Sequence, residues 1–251
     1  LGRSERRRWG GAYVRGLLTT AGHKATATMA TGLPDGNVQA MQQFIGQSPW
    51  PWEPLRKGLA RRMVEALSPV AAWVVDDTGF PKKGNHSVGV ARQYSGTLGK
   101  IGNCQIAVSL HYATDDAAIP LDFTLYLPEE WLETKRRQKA GIPEDVTFQT
   151  KWALALALID RALAWEVPRG VIVADVGYGN TTEFRTGLAE RKLLFVVGVE
   201  STTTVWLDSG NLEAPPAGRC GRPRRKPLGV ATPLSVAEVT QSWAKEAWHC
   251  I

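Results

Sequence analysis

The sequence predicts a mixed α/β domain in which three antiparallel extended segments are followed by helix, strand, helix and strand, with a small helical region in front. Three observations carry that reading. Two short apolar runs suited to buried strands, Val70-Ala-Ala-Trp-Val-Val75 and Val171-Ile-Val-Ala174, are each ended by an acid. Between them Val88 to Tyr94, Cys104 to Tyr112 and Ile119 to Leu127 read as extended segments joined by Gly- and Asp-containing turns. The stretch Phe148 to Trp165 differs, with Trp152, Leu156, Ile159 and Leu163 at spacings of three and four. That is the pattern of an amphipathic helix of about five turns.

Taken in order, residues 1–69 form a helical N-terminal region that is a candidate contact surface for a partner. Helical spacing is visible in Ala40 and Phe44 and in Leu55, Leu59, Met63 and Leu67, interrupted by Pro49, Pro51 and Pro54. Residues 70–204 form the main domain. Val70 to Val75 is expected to end at Asp76-Asp77-Thr78-Gly79, and Asp175 with Val-Gly-Tyr-Gly179 makes a turn after the second buried strand. Asn180 and Glu183 suggest a capping box for a helix through Arg191, and Leu193 to Val197 is a further strand. A strand, helix, strand passage implies a parallel pair with a right-handed crossover. Residues 205–251 read as a basic Gly/Pro-rich linker, densest from Ala214 to Gly229, and the start of a C-terminal part. The sequence opens on Leu1 and closes on Trp248-His-Cys-Ile251 without residues that stop a helix, which reads as a C-terminally truncated fragment.

Composition narrows the class. Hydrophobic residues at 43% and charged residues at 22% fit an ordinary globular protein and argue against disorder. The longest apolar stretch is broken by Asp160 and Arg161, short of the ~18 residues of a membrane span, and the basic start lacks the apolar core of a secretory signal. A cytoplasmic protein is expected, with no membrane partner. Cys104, Cys220 and Cys250 are too few and scattered for a disulfide framework or a zinc site. Thirty Lys and Arg against 24 Asp and Glu give a net charge of +6, which favours a polyanionic partner. The basic residues cluster at Arg3, Arg6, Arg7 and Arg8 and again at Arg219, Arg222, Arg224, Arg225 and Lys226. Either cluster has an alternative reading as a solvated surface.

The chemistry concentrates in the acids. Asp76, with Asp77 beside it, and Asp175 each follow a buried strand, so if the strands are neighbours the carboxylates converge. Converging carboxylates repel and are costly to desolvate, so a site that keeps them ionised usually holds a divalent cation. Hard oxygen donors without a His or Cys cluster suit Mg²⁺. Against this stands the preference of Asp for turns at strand ends, which explains a single such acid without any function.

The run Trp73-Val-Val-Asp-Asp-Thr-Gly-Phe-Pro-Lys-Lys-Gly84, followed by Ala91-Arg-Gln-Tyr-Ser-Gly96, Gly99-Lys, Asn103-Cys-Gln105 and Ala174-Asp-Val-Gly-Tyr-Gly179, resembles bacterial insertion-sequence transposases of the DDE superfamily. Asp35 to Trp50 is similar to the helical region in front of their catalytic domain. The resemblance implies a ribonuclease-H-like mixed sheet, which agrees with the element order. It implies Mg-dependent strand cleavage and strand transfer of double-stranded DNA at transposon ends and target, by a homodimer assembled on DNA. By position it makes Asp76 the first catalytic acid and Asp175 the second, both ligands to Mg²⁺ (with Mn²⁺ as substitute), with two ions in the complete enzyme. Asp77 is the alternate first acid, because the related motif places Asp76 in register with Thr78. Many relatives carry a third acid within Tyr-x2-Arg-x3-Glu, a motif absent here, and neither Glu238 nor Glu246 has that context. The chain alone is therefore expected to be inactive.

DNA contacts are expected from Lys82 and Lys83, just after the first acid, at a phosphate near the scissile bond, with a solvated turn as the alternative, and from Arg219, Arg222, Arg224, Arg225 and Lys226 in the basic loop. Two other readings stand beside this one. The first is a catalytically inactive DNA-binding remnant of a transposase. The second is an aspartic protease, from Asp77-Thr78-Gly79, though Asp175-Val-Gly does not repeat the triplet and the helix at Phe148 is foreign to that fold.

Overall fold

The computed structural model describes residues 2–67, 69–207, 212–213, 228–229 and 233–244. The chain separates into two compact units, Leu1–Ala66 and Leu67–Ile251.

The first unit is helical: α1 (Ser4–Thr19), α2 (Thr26–Thr31), α3 (Val38–Gly46) and α4 (Glu53–Glu65). Its core is Ala12, Met29, Ala30 and Met41, surrounded by Trp9, Tyr13, Leu17, Leu33 and Val38. Gly16 lets α1 lie against Met29, whose Cβ would stand 2.9 Å from an added methyl. Asn37 starts α3 by accepting the Ala40 N–H at 2.9 Å, and Pro54 sits in the first turn of α4, where its missing N–H is not needed. The arginine-rich opening of the sequence shows no helical periodicity, yet it is the first two turns of α1. Tertiary packing of Ala12 and Gly16 supplies what local pattern lacks.

The second unit is mixed α/β, as expected. Its strands are β1 (Ala72–Pro81), β2 (Ala91–Ser95), β3 (Lys100–Ala113), β4 (Ala118–Tyr126), β5 (Val171–Ala174) and β6 (Phe195–Val197). They form one sheet in the order β2-β3-β1-β5-β6, with β4 also paired to β3. The β1 to β4 pairings are antiparallel and the β1-β5 and β5-β6 pairings are parallel, which is compatible with a ribonuclease-H-like fold. The long helix α6 (Lys151–Ala164) begins at Thr150, whose hydroxyl accepts the Ala153 N–H. It buries Ala155, Leu156, Leu158, Ile159 and Ala162 and packs on β3 and β4. Trp73 and Val75 on β1, Ile106, Val108, Leu110 and Tyr112 on β3, and Ile172 and Ala174 on β5 complete that core. A shorter α5 (Thr134–Ala140) precedes α6, and α7 (Val176–Gly179) and α8 (Thr182–Glu190) link β5 to β6. Toward the end Thr204–Val205 pairs with Leu234–Ser235, which leads into α9 (Val236–Ser242).

Three local expectations are corrected. The first strand does not stop at the acids: β3 stays paired to β1 through Pro81↔Cys104, so Asp76 lies mid-strand. Val88 to Val90 form a turn, and the second strand starts at Ala91. The capping box at Asn180 is absent, because the Asn180 side chain instead accepts from the Glu200 N–H at 2.9 Å, and Thr181, the N-cap of α8, makes no side-chain capping bond.

Candidate active site

Pairing between β1 and β5 runs Ala72↔Val171 to Val75↔Ala174 and stops there. Asp76 and Asp175 are the residues that directly follow this last pair, Asp76 within β1 and Asp175 just past the end of β5. Side chains alternate along a strand, so Asp76 shares a face with Val74 and Thr78, while Asp77 shares the buried face of Trp73 and Val75. Asp175 leaves β5 as the N-cap of α7, and its Oδ1 accepts the N–H groups of Gly177 at 3.0 Å and Tyr178 at 3.3 Å. Asp76 Oδ1 accepts the Asp77 N–H at 2.7 Å. Both carboxylates are exposed, each is oriented by backbone through one oxygen, and among the described residues the second oxygen of each meets no protein donor.

The glycines of Val-Gly-Tyr-Gly179 make this turn possible. A Cβ on Gly179 would lie 1.8 Å from the Gly198 carbonyl oxygen, so only glycine lets α7 pass the exit of β6. The same approach is held by the Gly198 N–H donating to the Ala174 carbonyl at 3.0 Å.

Asp77 faces the other way and is engaged. Lys151, the first residue of α6, pairs with its Oδ2, and the Tyr178 hydroxyl donates to its Oδ1. Burial first, and then the carboxylates of Asp77, Asp175 and Asp76, hold the Tyr178 phenol protonated well above its usual range. Under the strand, Ser109 donates to the Asp76 main-chain carbonyl at 3.1 Å, and His111 Nε2 lies 3.0 Å from the Ser109 hydroxyl. Since that hydroxyl already donates to Asp76, the geometry assigns the proton between them to His111 Nε2.

The other expected site residues lie elsewhere. Lys82 and Lys83 are exposed just past β1, in a loop held by Asn103, whose amide donates to the Lys82 carbonyl at 3.0 Å and the Gly84 carbonyl at 2.8 Å. Because β1 stays extended, Lys82 stands roughly 20 Å from Asp76 at about 3.3 Å per residue. Arg219, Arg222, Arg224, Arg225, Lys226 and Glu246 fall outside the described residues. The Glu238 carboxylate folds back to accept the Ser235 N–H and hydroxyl, each at 2.7 Å, and those bonds lower its pKa. No group of three His, Cys, Asp or Glu that could hold a metal occurs among the described residues. Lys151 and Tyr178 were missed by sequence reasoning, since they reach Asp77 across 74 and 101 residues and no local spacing reports such pairings.

The model of the DDE superfamily endonuclease family matches residues 1–250. This chain belongs to that family. The chain is also 30% identical over 168 residues to a protein described as a probable transposase for insertion sequence element IS701, from Microchaete diplosiphon. That stretch covers 66% of this chain and 41% of the relative, so the chain matches less than half of the relative's length. The DDE endonuclease superfamily works with divalent metal ions, and two carboxylates with hard oxygens turned outward are donors of the right chemistry for one. The protease reading loses its ground, since Asp77 of the Asp-Thr-Gly triplet is committed to Lys151 and Tyr178. No helix among the described residues is long and apolar enough to cross a membrane.

Proposed function

We propose that this chain carries two of the catalytic acids of an insertion-sequence transposase, Asp76 and Asp175, which hold Mg²⁺ for cleavage and strand transfer of double-stranded DNA. The observation that supports the reading is the parallel register, whose last pair, Val75↔Ala174, immediately precedes the two acids, each with an oxygen left over. When bound, the ions supply activation of the attacking water or 3′ hydroxyl and stabilisation of the leaving oxygen. The protein's own contribution is orientation: backbone N–H groups fix Oδ1 of each acid, and Ser109 fixes the carbonyl of Asp76. Mn²⁺ substitutes for Mg²⁺ in the same oxygen site.

Lys82 and Lys83 meet phosphates away from the scissile bond, given their ~20 Å separation from Asp76 at the extended-strand rise. Arg219, Arg222, Arg224, Arg225 and Lys226 add non-specific phosphate pairing, and the helical residues 1–69 meet DNA through the arginines of α1. Assembly on DNA is as a homodimer. Without a third catalytic acid, this chain binds DNA better than it cuts it.

A second reading, a DNA-binding remnant without catalysis, is favoured by the absence of a three-acid cluster among the described residues. Metal-dependent nicking separates the two. The test titrates Mn²⁺ into the wild-type chain and into Asp76→Asn and Asp175→Asn, then assays nicking of duplex DNA with and without metal. Binding that both substitutions abolish supports the two-aspartate site. Binding that survives both overturns it.

A further inference from the structure

We propose that Asp77, Lys151 and Tyr178 form a positioning cluster that fixes the spacing and orientation of Asp76 and Asp175; the inference rests on the reading of those two acids as ion ligands. Neither strand pairing nor local turn geometry can do this alone. β5 ends at Ala174, so Asp175 stands just past the paired strand as the N-cap of α7, and hydrogen bonding between β1 and β5 has ceased where the two acids stand. The cluster closes that gap from the opposite face.

The connection can be followed atom by atom. Asp175 Oδ1 accepts the Tyr178 N–H, the Tyr178 hydroxyl donates to Asp77 Oδ1, and the Asp77 N–H donates to Asp76 Oδ1. A continuous chain of hydrogen bonds and one aromatic ring therefore runs from one acid to the other beneath the sheet. Lys151 holds the remaining oxygen of Asp77 and ties the same point to the N-terminus of α6. Tyr178 is buried at 4% exposure, and its ring lies 5.4 Å from Phe184, so the hydroxyl is carried on a fixed support.

Charge gives the cluster a second task. Asp77 is the next residue after Asp76 and adds its charge to that of the two exposed acids, and among the described residues Lys151 is the positive side chain that pairs with it. Its ammonium cancels the charge of Asp77, the acid on the buried face, and leaves the two exposed acids to face a cation. Supporting residues of this kind commonly tune metal affinity by about 10- to 100-fold.

The test measures Mn²⁺ affinity of the full chain by electron paramagnetic resonance of the free ion, beside the thermal unfolding midpoint. Tyr178→Phe removes one hydroxyl and keeps the ring; Lys151→Met removes the charge and Lys151→Arg keeps it. Tyr178→Phe and Lys151→Met are expected to weaken Mn²⁺ binding about tenfold, with Lys151→Arg recovering most of the loss. Leu121→Ala, a buried truncation on β4, serves as the control for destabilisation without loss of affinity. A lowered midpoint with unchanged affinity in Tyr178→Phe and Lys151→Met would make the cluster merely structural and overturn the proposal. So would a loss at Asp77→Asn equal to that at Asp76→Asn with Tyr178→Phe unaffected, because Asp77 would then be a ligand itself. Wild-type protein showing no Asp76-dependent Mn²⁺ binding would overturn the two-aspartate reading along with it, an outcome distinct from the first two.

Discussion

Replacing Asp76 with Asn is expected to stabilise the ion-free protein and at the same time to remove the stabilisation that a divalent ion provides. The substitution keeps the acceptor that Asp77 N–H uses and deletes only the charge. Neighbouring strands lie ~4.8 Å apart, and two unit charges about 5 Å apart in water repel by roughly 0.8 kcal/mol, less with added salt. Both carboxylates are exposed, so the water-like dielectric is the appropriate one. Relief of about 0.8 kcal/mol raises the unfolding midpoint of a domain this size by roughly 2 °C. For the wild type, Mn²⁺ at about a hundredfold above its dissociation constant adds ~2.7 kcal/mol, or roughly 5–10 °C. The two proteins should therefore change rank: Asp76→Asn melts higher without metal, and the wild type melts higher with it. Scanning fluorimetry at low ionic strength, with and without Mn²⁺, reads both effects. An Asp76→Asn protein that melts lower without metal, or that keeps the full Mn²⁺ shift, would refute the reasoning.

Other outcomes follow from the same geometry. Gly179→Ala places a methyl 1.8 Å from the Gly198 carbonyl oxygen, and the backbone must move, so denaturant titration should show a loss of about 1–3 kcal/mol together with weakened Mn²⁺ binding. Burial raises the phenol pKa of Tyr112, and burial followed by the nearby aspartates raises that of Tyr178, so the folded state retains protons that the unfolded chain releases near pH ~10. Stability is therefore full below that pH and falls as pH rises above it, which chemical denaturation between pH 8 and pH 11 (roughly, spanning the unfolded phenol pKa) will show as an alkaline decline that Tyr178→Phe reduces. Replacing Arg222, Arg224 and Arg225 with Ala should flatten the dependence of log DNA affinity on log salt by about 0.9 for each phosphate no longer neutralised, measured by fluorescence anisotropy. An unchanged slope assigns those arginines to solvent.

Much of the main domain was legible because its signals are local. Val171 to Ala174 and the three- and four-residue spacing from Trp152 to Leu163 depend on near neighbours, and β5 and α6 form where those patterns lie. Boundaries that depend on distant partners were not legible. Asp76 to Pro81 looks like a turn by composition and is strand because Ser109 through Cys104 pair with it from across the sheet. The N-terminal arginines look like a solvated tail and are helix because Met29 packs against Gly16. Within the site, the two acids were visible as strand-end carboxylates. Their supports were not, since Lys151 and Tyr178 take their meaning from Asp77 in three dimensions only.

The paired aspartates of β1 differ by a single position, and successive positions of a strand look out on opposite sides of the sheet. Sliding β1 by one residue would exchange them, presenting Asp77 to the site and burying Asp76 against Lys151. The acids themselves hold no information that forbids the exchange, since they are the same chemical group. What forbids it is Trp73 and Val75, both almost fully buried, which the same slide would turn out into water. A substitution such as Trp73→Ser, remote from any ion, would thus blur which aspartate serves the reaction, and the choice of working residue in this protein is made by its hydrophobic neighbours.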